Sequence, residues 1–134
     1  MKHFKLINVK SSKSIEFIDI TNEVKKYITE KGVVNGIILV YTPHTTAGIT
    51  INENADPDVT TDLESFFKSK IPHESFYKHS EGNSPSHIMS SLVSASETLI
   101  IDEGQLILGT WQGIYFCEFD GPRARKVYLK CIIE

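Results

Sequence analysis

The chain has little of what marks several large classes of protein. Its 134 residues include two cysteines, one tryptophan and two arginines. The longest apolar run, residues 37–41, is far shorter than a membrane span, and the N-terminus has no apolar segment typical of a signal peptide. A net charge of -3 provides no basic surface for nucleic acid. We therefore expect a cytoplasmic protein that binds neither nucleic acid nor a membrane.

The two cysteines are not expected to form a disulfide. Residues 110–119 and 123–133 are typical of two strands in a C-terminal hairpin that turns at 120–122. In that hairpin Cys117 and Cys131 would lie roughly 13 Å apart along the strands, whereas a disulfide needs α-carbons within about 7 Å. Both are predicted to be reduced thiols that pack as small buried side chains.

The pattern of apolar residues predicts a single α+β domain over residues 1–134. Hydrophobic content of 40% and charged content of 23% are ordinary for a globular protein. Strands are predicted at 4–9 and 14–20, joined as a hairpin, and then at 33–42, 47–51, 97–101, 105–108, 110–119 and 123–133. We expect a β-sandwich of two mixed sheets with two or three helices, in which strand 33–42 is central and covered on both sides because it is so apolar.

Three helices are predicted from their start signals. Thr21 is a candidate N-cap for a helix that ends near Gly32, and Asp56 with the following proline marks the start of a second. The third begins at Ser84. Its apolar arc comprises Ile88, Met89, Leu92 and Val93. The remaining positions of this helix hold only serine and histidine, so we expect that face to meet a partner subunit or a site.

Three histidines are the main candidates for function. His44 follows an apolar run and is expected at the mouth of a buried strand, whereas His79 and His87 flank a polar segment at the end of the long loop 70–83. Imidazole serves as a metal ligand or as an acid and base near neutral pH. Each histidine alone is more easily explained as structural, but together with Glu53, Asp56 and Glu81 they predict a shared polar site.

Two further groups of polar residues have both a functional and a structural interpretation. Arg123 and Arg125 share one face of a strand and favour bidentate binding of carboxylate or phosphate, with salt bridges to Glu118, Asp120 or a neighbouring subunit as the alternative. Residues 52–58 are rich in oxygen ligands that suit Mg²⁺, but Asx turns and helix capping also explain them. Because the histidines lack the spacing of known metal motifs, any metal site must be assembled from distant segments.

Several motifs together make the chain resemble the YjbQ family, often labelled secondary thiamine-phosphate synthase. They are HTTA at 44–47, INENADP at 51–57, EGN at 81–83 with His87, LGTWQGI at 108–114 and EFDGPRAR at 118–125. The run 96–114 resembles the family signature, with Ser96, Gly104, Gly109, Thr110, Trp111 and Gln112 in register. The family tends to have a glycine near position 94 and an alanine-containing stretch before the helix histidine, where this chain has Ser94 and a Ser-Pro-Ser segment at 84–86.

The resemblance implies a homotrimer with sites near subunit boundaries and a polar pocket that contains His44, His79 and His87. Glu53, Asp56, Asn83, Trp111, Gln112 and Arg123 would surround it. A divalent metal, Zn²⁺ or Mg²⁺, is an expected cofactor, with the histidines and Asp56 as ligands and Glu53 as a further catalytic group.

The activity attached to the family joins hydroxymethylpyrimidine diphosphate to thiazole phosphate and releases pyrophosphate. By this resemblance the ligand is a small anionic or phosphorylated molecule, Arg123 and Arg125 hold phosphate, Glu53 and Asp56 hold the metal, and Trp111 covers an aromatic ring. Three alternatives stay open: a metal-dependent hydrolase of a phosphoester or amide, a non-enzymatic sensor or carrier of a small anion, and a purely structural trimer.

Overall fold

The computed structural model describes residues 3–134. Within them the elements are β1 (Lys5–Lys10), β2 (Glu16–Asp19), α1 (Thr21–Lys31), β3 (Gly36–Tyr41), β4 (Ala47–Glu53), α2 (Pro57–Lys70), α3 (Ser84–Val93), β5 (Ser96–Asp102), β6 (Gln105–Leu106), β7 (Gln112–Glu118) and β8 (Ala124–Ile133). No helix in this part of the chain is long and apolar enough to cross a membrane. The predicted α+β class is confirmed.

The strands form two sheets, and every pairing in them is antiparallel. One sheet has five strands in the order β1-β8-β3-β5-β6, and the other has three in the order β2-β7-β4. The prediction of mixed sheets is therefore wrong. The helices connect strands of different sheets, with α1 between β2 and β3 and α2 and α3 between β4 and β5. A parallel pair needs a crossover within one sheet, and these helices do not provide it.

The two hairpins predicted at the chain ends are not formed. β1 pairs with β8 in the large sheet, whereas β2 pairs with β7 in the small sheet. The chain therefore passes from one sheet to the other in two places, the segment after β1 and the segment after β7. These two segments lie side by side and form a corner between the sheets. Ser11 fixes this corner because its amide donates to the Arg123 carbonyl and its hydroxyl accepts from the Arg123 amide. Cys117 and Cys131 consequently lie in different sheets as free cysteines, so the prediction that they do not form a disulfide with each other is confirmed.

The main core lies between the two sheets. It contains the inward residues of β3 and β7, such as Ile38, Val40, Ile114 and Phe116, and the apolar side of α1 closes it. A second cluster lies on the other side of the small sheet, where Phe17, Tyr115, Cys117 and Phe119 pack beneath α2 and against Met89 of α3. The small sheet is therefore covered on both faces, and nearly all of β7 is buried.

β3 is central in its sheet, as predicted, but it is not covered on both sides. It is the central strand of the five-stranded sheet, but only its inner residues are fully buried. On its outer face Ile37 is 36% exposed and Tyr41 is 40% exposed. Ile37 lies beside Ile100 of β5 and Ile132 of β8, and these two are 59% and 58% exposed. The outer face of the large sheet is thus an apolar surface without a cover in the single chain.

The helix starts show which local signals were informative. Asp56 caps α2 by accepting from the Asp58 amide at 2.9 Å, and Pro57 occupies the first turn, as predicted. α3 begins at Ser84 as predicted, although Leu92 is 68% exposed rather than part of the apolar arc. Thr21 is not a cap. Its hydroxyl accepts from the Ile114 amide and donates to Asp19, so it ties α1 to the small sheet instead.

Candidate functional site

The structure brings the three candidate histidines to one place. His44 lies on the loop that crosses from β3 to β4, His79 lies on the loop between α2 and α3, and His87 lies in the second turn of α3. They line one cavity of about 380 Å³. Pro43, Thr45, Thr46, Glu81, Asn83, Asp120, Arg123 and Arg125 complete its lining. The cavity therefore lies between the connections that join the two sheets and the end of the long loop between α2 and α3. This loop forms one wall.

A second cavity of about 680 Å³ adjoins the first across His44 and His87. Its lining includes Ser90, Ser91 and Ser94 of the serine face of α3. The hydroxyls of Ser90 and Ser91 donate to the carbonyls of Ala47 and His87 respectively. This helix face was expected to meet a partner subunit or a site, and in the structure it lines a cavity.

His79 and His87 form a close pair. Their ring centroids are 5.0 Å apart, and the ring planes are nearly perpendicular at 89°. Glu81 lies next to them, with its Oε2 at 4.0 Å from Nε2 of His79. The two rings thus pack edge to face beside a carboxylate, and imidazole is the side chain most often used for general acid–base chemistry near neutral pH.

His44 is hydrogen-bonded to the backbone of β8. Its Nε2 accepts a hydrogen bond from the backbone amide of Lys126 at 2.9 Å. Burial, followed by the nearby Arg125 guanidinium, lowers the pKa of His44 below its ordinary value. The neutral form of this imidazole is therefore favoured near neutral pH.

The two arginines are already paired within the chain. Arg123 binds Asp120 through Nη2 at 2.8 Å to the carboxylate and through Nε at 2.7 Å to the carbonyl. Arg125 is 4% exposed and binds Glu118, which is fully buried. The salt-bridge interpretation of these residues is the one the structure supports. Among residues 3–134 neither set of bonds uses Nη1, so each guanidinium has one nitrogen outside these bonds, and both side chains line the cavity.

Glu118 is fully buried and holds Arg125, which lines the cavity. It accepts from Ser11 Oγ at 2.6 Å, from Arg125 Nε at 2.9 Å and from the Asp120 amide at 3.0 Å. Burial would raise its pKa, but the hydrogen bonds from Arg125, Ser11 and the Asp120 amide outweigh it, so the pKa of Glu118 lies below its ordinary value. Arg125 in turn donates to Thr46 Oγ1 at 2.8 Å, which fixes the loop that carries His44.

Four of the residues predicted for the pocket lie elsewhere. Ala47 and Glu118 pair at the cavity end of β4 and β7, whereas Glu53 and Gln112 pair at the opposite end, about 20 Å away at the usual rise of a strand. Asp56 and Trp111 lie just beyond that end. Within a single chain the structure therefore does not bring Glu53, Asp56, Trp111 and Gln112 to the cavity that holds the histidines.

At that far end the polar residues have local structural partners. Asp56 caps α2, and its amide donates to Glu53 Oε2 at 3.3 Å. Asn54 donates to Asp19 at 3.1 Å, and Gln112 accepts from the Gly109 amide at 2.8 Å. The Asx-turn and capping interpretation accounts for this segment. Trp111 is 62% exposed and has no such explanation.

Sequence reasoning missed Glu118 and Asp120 as parts of the site, although it named them as partners of the arginines. Glu118 ends an otherwise apolar strand, and Arg125 interrupts an apolar row seven residues later. Opposite charges inside two buried strands were a signal for a buried ion pair. Asn83, which was predicted, donates to Asp120 at 2.9 Å, while its buried Oδ1 has no hydrogen-bond partner among residues 3–134.

The part of the chain that the structure describes does not bring the predicted metal ligands together. Among residues 3–134, no three histidine, cysteine, aspartate or glutamate side chains are arranged to hold a metal ion. His44 also uses its Nε2 lone pair for a backbone amide. The ligand set of His44, His79, His87 and Asp56 is not assembled, because Asp56 lies at the far end of the small sheet.

Comparison with known proteins identifies relatives over nearly the whole chain. The family model "UPF0047 protein YjbQ-like" matches residues 5–134. The UPF0047 protein YugU of Bacillus subtilis is 54% identical over 127 residues, which is 94% of this chain and 96% of that protein. A UPF0047 protein of Methanocaldococcus jannaschii is 53% identical over 124 residues, covering 92% of this chain and 90% of its own.

Solved structures agree with the sequence relatives. A crystal structure of an uncharacterised conserved protein of the YjbQ/UPF0047 family from Clostridium acetobutylicum is 56% identical, with a TM-score of 0.93 over 96% of this chain and 99% of that one. A hypothetical protein from Aeropyrum pernix is 34% identical, with a TM-score of 0.93 and full coverage of both chains. Fold and sequence therefore point to the same relatives.

Proposed function

The chain belongs to the family of YjbQ-like UPF0047 proteins, and from that premise we propose that it is an enzyme that acts on a small phosphorylated molecule in the three-histidine cavity. The observation that carries the proposal is the meeting of His44, His79 and His87, from three separate segments, in a single cavity. A fold does not need three imidazoles at one point for stability, whereas acid–base chemistry needs such groups within reach of one substrate.

The donors that remain in the cavity support an anionic substrate group. Arg123 and Arg125 each keep one nitrogen outside their ion pairs, and Asn83 and the imidazoles add further polar atoms. Because Asp120 and Glu118 balance the arginine charges, the site is not strongly cationic. Binding of phosphate would therefore depend on directed hydrogen bonds more than on net charge.

The size of the cavities is consistent with small substrates. The 380 Å³ cavity is at the lower end of the range for ligand sites, and its 680 Å³ neighbour extends it across His44 and His87. Two small molecules could thus lie side by side. The specific reaction that we propose requires two substrates in this arrangement. The methyl carbon of the pyrimidine breaks its bond to the diphosphate oxygen and forms a bond to the thiazole nitrogen.

The histidines are the groups that the proposal assigns to that reaction. Within residues 3–134 the rings of His79 and His87 make no hydrogen bond to the backbone, and we assign them proton transfer to the departing diphosphate. Arg123 and Arg125 hold phosphate oxygens. Glu53, Trp111 and Gln112 have no part in this cavity within one chain.

The test is release of pyrophosphate by purified protein from hydroxymethylpyrimidine diphosphate and thiazole phosphate. Loss of a general acid or base typically lowers turnover by about 10²–10⁴-fold, and we expect that range for H79A and H87A. H73A is the matched control, because His73 lies on the same loop as His79 but outside the cavity. Equal activity of all three variants, or no pyrophosphate release by the wild type, would refute the assignment.

We also propose that the chain forms a homotrimer through the outer face of the five-stranded sheet. The row Ile100, Ile37 and Ile132 crosses three adjacent strands and is exposed. Ile107 and Ile133 extend it and are 51% and 58% exposed. An apolar surface of this extent on a folded chain is typical of a protein interface.

The assembly can be tested by light scattering. We expect wild-type protein at three times the chain mass of 15.1 kDa, and monomer for I37K, which places a charge at the centre of the apolar row. L92K is the control because Leu92 is also exposed, at 68%, but lies on α3 and outside the apolar row. A monomeric wild type, or a trimer that tolerates I37K, would remove this interface.

A further inference from the structure

His44 is oriented by the edge of the large sheet. β3 ends at Tyr41, whereas β8 continues past that point toward its start at Ala124. Lys126 pairs with Asn8 of β1 on one side but lies beyond the end of β3 on the other, where side chains from the loop after β3 continue the hydrogen bonding. Thr42 Oγ1 donates to the Lys126 carbonyl at 3.1 Å, and His44 Nε2 accepts from the Lys126 amide at 2.9 Å.

This contact determines which ring nitrogen carries the proton. A backbone amide is always a donor, so the nitrogen that faces it must have a free lone pair. A neutral imidazole has one protonated nitrogen, and with Nε2 as acceptor the proton must be on Nδ1. An inverted ring would put carbon against the amide and leave the Lys126 N–H without this acceptor.

Nδ1 is free to meet a ligand. All hydrogen bonds of His44 within residues 3–134 are made through Nε2, and the ring lines both cavities. Arg125, whose Nη2 holds the adjacent Thr46, lines the smaller cavity on the same side. A ligand oxygen in that cavity would thus find N–H donors from His44 and Arg125.

We propose that His44 is a fixed, neutral hydrogen-bond donor that presents its Nδ1–H to an acceptor oxygen of the substrate, and that it is neither a metal ligand nor the general base. Metal binding and proton abstraction both need a free lone pair, and the one on Nε2 is occupied. The inference rests on the proposed function for the identity of the substrate, since a phosphoryl oxygen is the acceptor expected there. It separates the roles of the three histidines: His44 polarises, while His79 and His87 exchange protons.

The tautomer can be measured without any ligand. In protein with ¹⁵N-labelled histidine, long-range proton–nitrogen correlations distinguish a protonated Nδ1 from a protonated Nε2. We expect His44 to show protonated Nδ1 and unprotonated Nε2, and to keep that pattern when Zn²⁺ is added. A protonated Nε2, or a Zn²⁺-induced change in the nitrogen signals of His44, would overturn the inference.

A pair of substitutions tests the donor role. The amide nitrogen of asparagine can occupy the position of Nδ1, whereas the longer glutamine side chain reaches the position of Nε2. With inorganic pyrophosphate as the calorimetric probe, we expect H44N to bind within about threefold of wild type and H44Q to bind about ten- to a hundredfold more weakly, the usual loss of one charge-assisted hydrogen bond. H73N is the control.

The opposite order, or equal binding by both variants, would overturn the donor role. If wild-type protein does not bind pyrophosphate, the phosphate class in the proposed function is wrong, and the tautomer measurement alone decides the state of His44. Failure of the proposed function is in this way distinguishable from failure of the inference.

Discussion

Removal of the Glu118 carboxylate should destabilise the protein more than most single substitutions. E118A would leave the Arg125 guanidinium without its counter-ion at a position where Glu118 is fully buried and Arg125 is 4% exposed. Ser11 and the Asp120 amide would also lose their acceptor. Breaking a buried ion pair by removing one partner costs about 3–5 kcal/mol, a large part of the roughly 5–15 kcal/mol that stabilises a typical domain.

The assay is urea unfolding followed by circular dichroism. With an m-value of about 1.5 kcal/mol/M, the expected loss lowers the urea midpoint of E118A by about 2–3 M. The double variant E118L/R125M removes both charges and should be more stable than E118A, because no unpaired charge stays buried. A midpoint for E118A within about 0.5 M of wild type, or a double variant less stable than E118A, would refute the reasoning.

Three further predictions concern stability and reactivity. First, Glu118 stabilises the fold above its ordinary pKa of about 4.3, and this contribution is lost as pH falls through the lower pKa of the folded state; acid titration of unfolding stability should therefore show a smaller acid dependence in E118Q than in wild type, and an equal one would count against the ion pair. Second, Ser94 has φ +90° and ψ 158°, a region where strain costs about 1–3 kcal/mol and only glycine is comfortable. S94G should raise the free energy of unfolding by about 1 kcal/mol after the entropy of glycine in the unfolded chain is subtracted, and a lower urea midpoint would contradict this. Third, burial raises the pKa of both thiols, so iodoacetamide should label half-buried Cys131 slowly and buried Cys117 only after unfolding; rapid labelling of Cys117 in the folded protein would show that its burial is wrong.

Elements that depend on local signals could be predicted from the sequence. The Asp56 cap and the start of α3 at Ser84 follow from residues adjacent to the helix. The sheet pairings could not be predicted in this way. Residues 10–15 have the composition of a turn, but whether they reverse the chain or carry it to the second sheet depends on the distant contact of Ser11 with Arg123 and Glu118.

The candidate site was likewise only partly predictable from the sequence. The three histidines could be placed together because each lies beside a polar segment at the end of a predicted element. Glu53 and Trp111 could not be excluded by composition, since their distance from the cavity is set by the length of β4 and β7. The protonation of His44 follows only from the register of β8, which leaves the Lys126 amide beyond the end of β3.

The most direct test of the central claim is a titration of ¹⁵N-histidine protein with pyrophosphate, followed by NMR. The chain has five histidines, and His3 and His73 lie outside the cavity. We expect the signals of His44, His79 and His87 to shift together with one shared dissociation constant while those of His3 and His73 stay in place. Independent shifts of the three, or shifts of His73 as large as theirs, would contradict a common phosphate site.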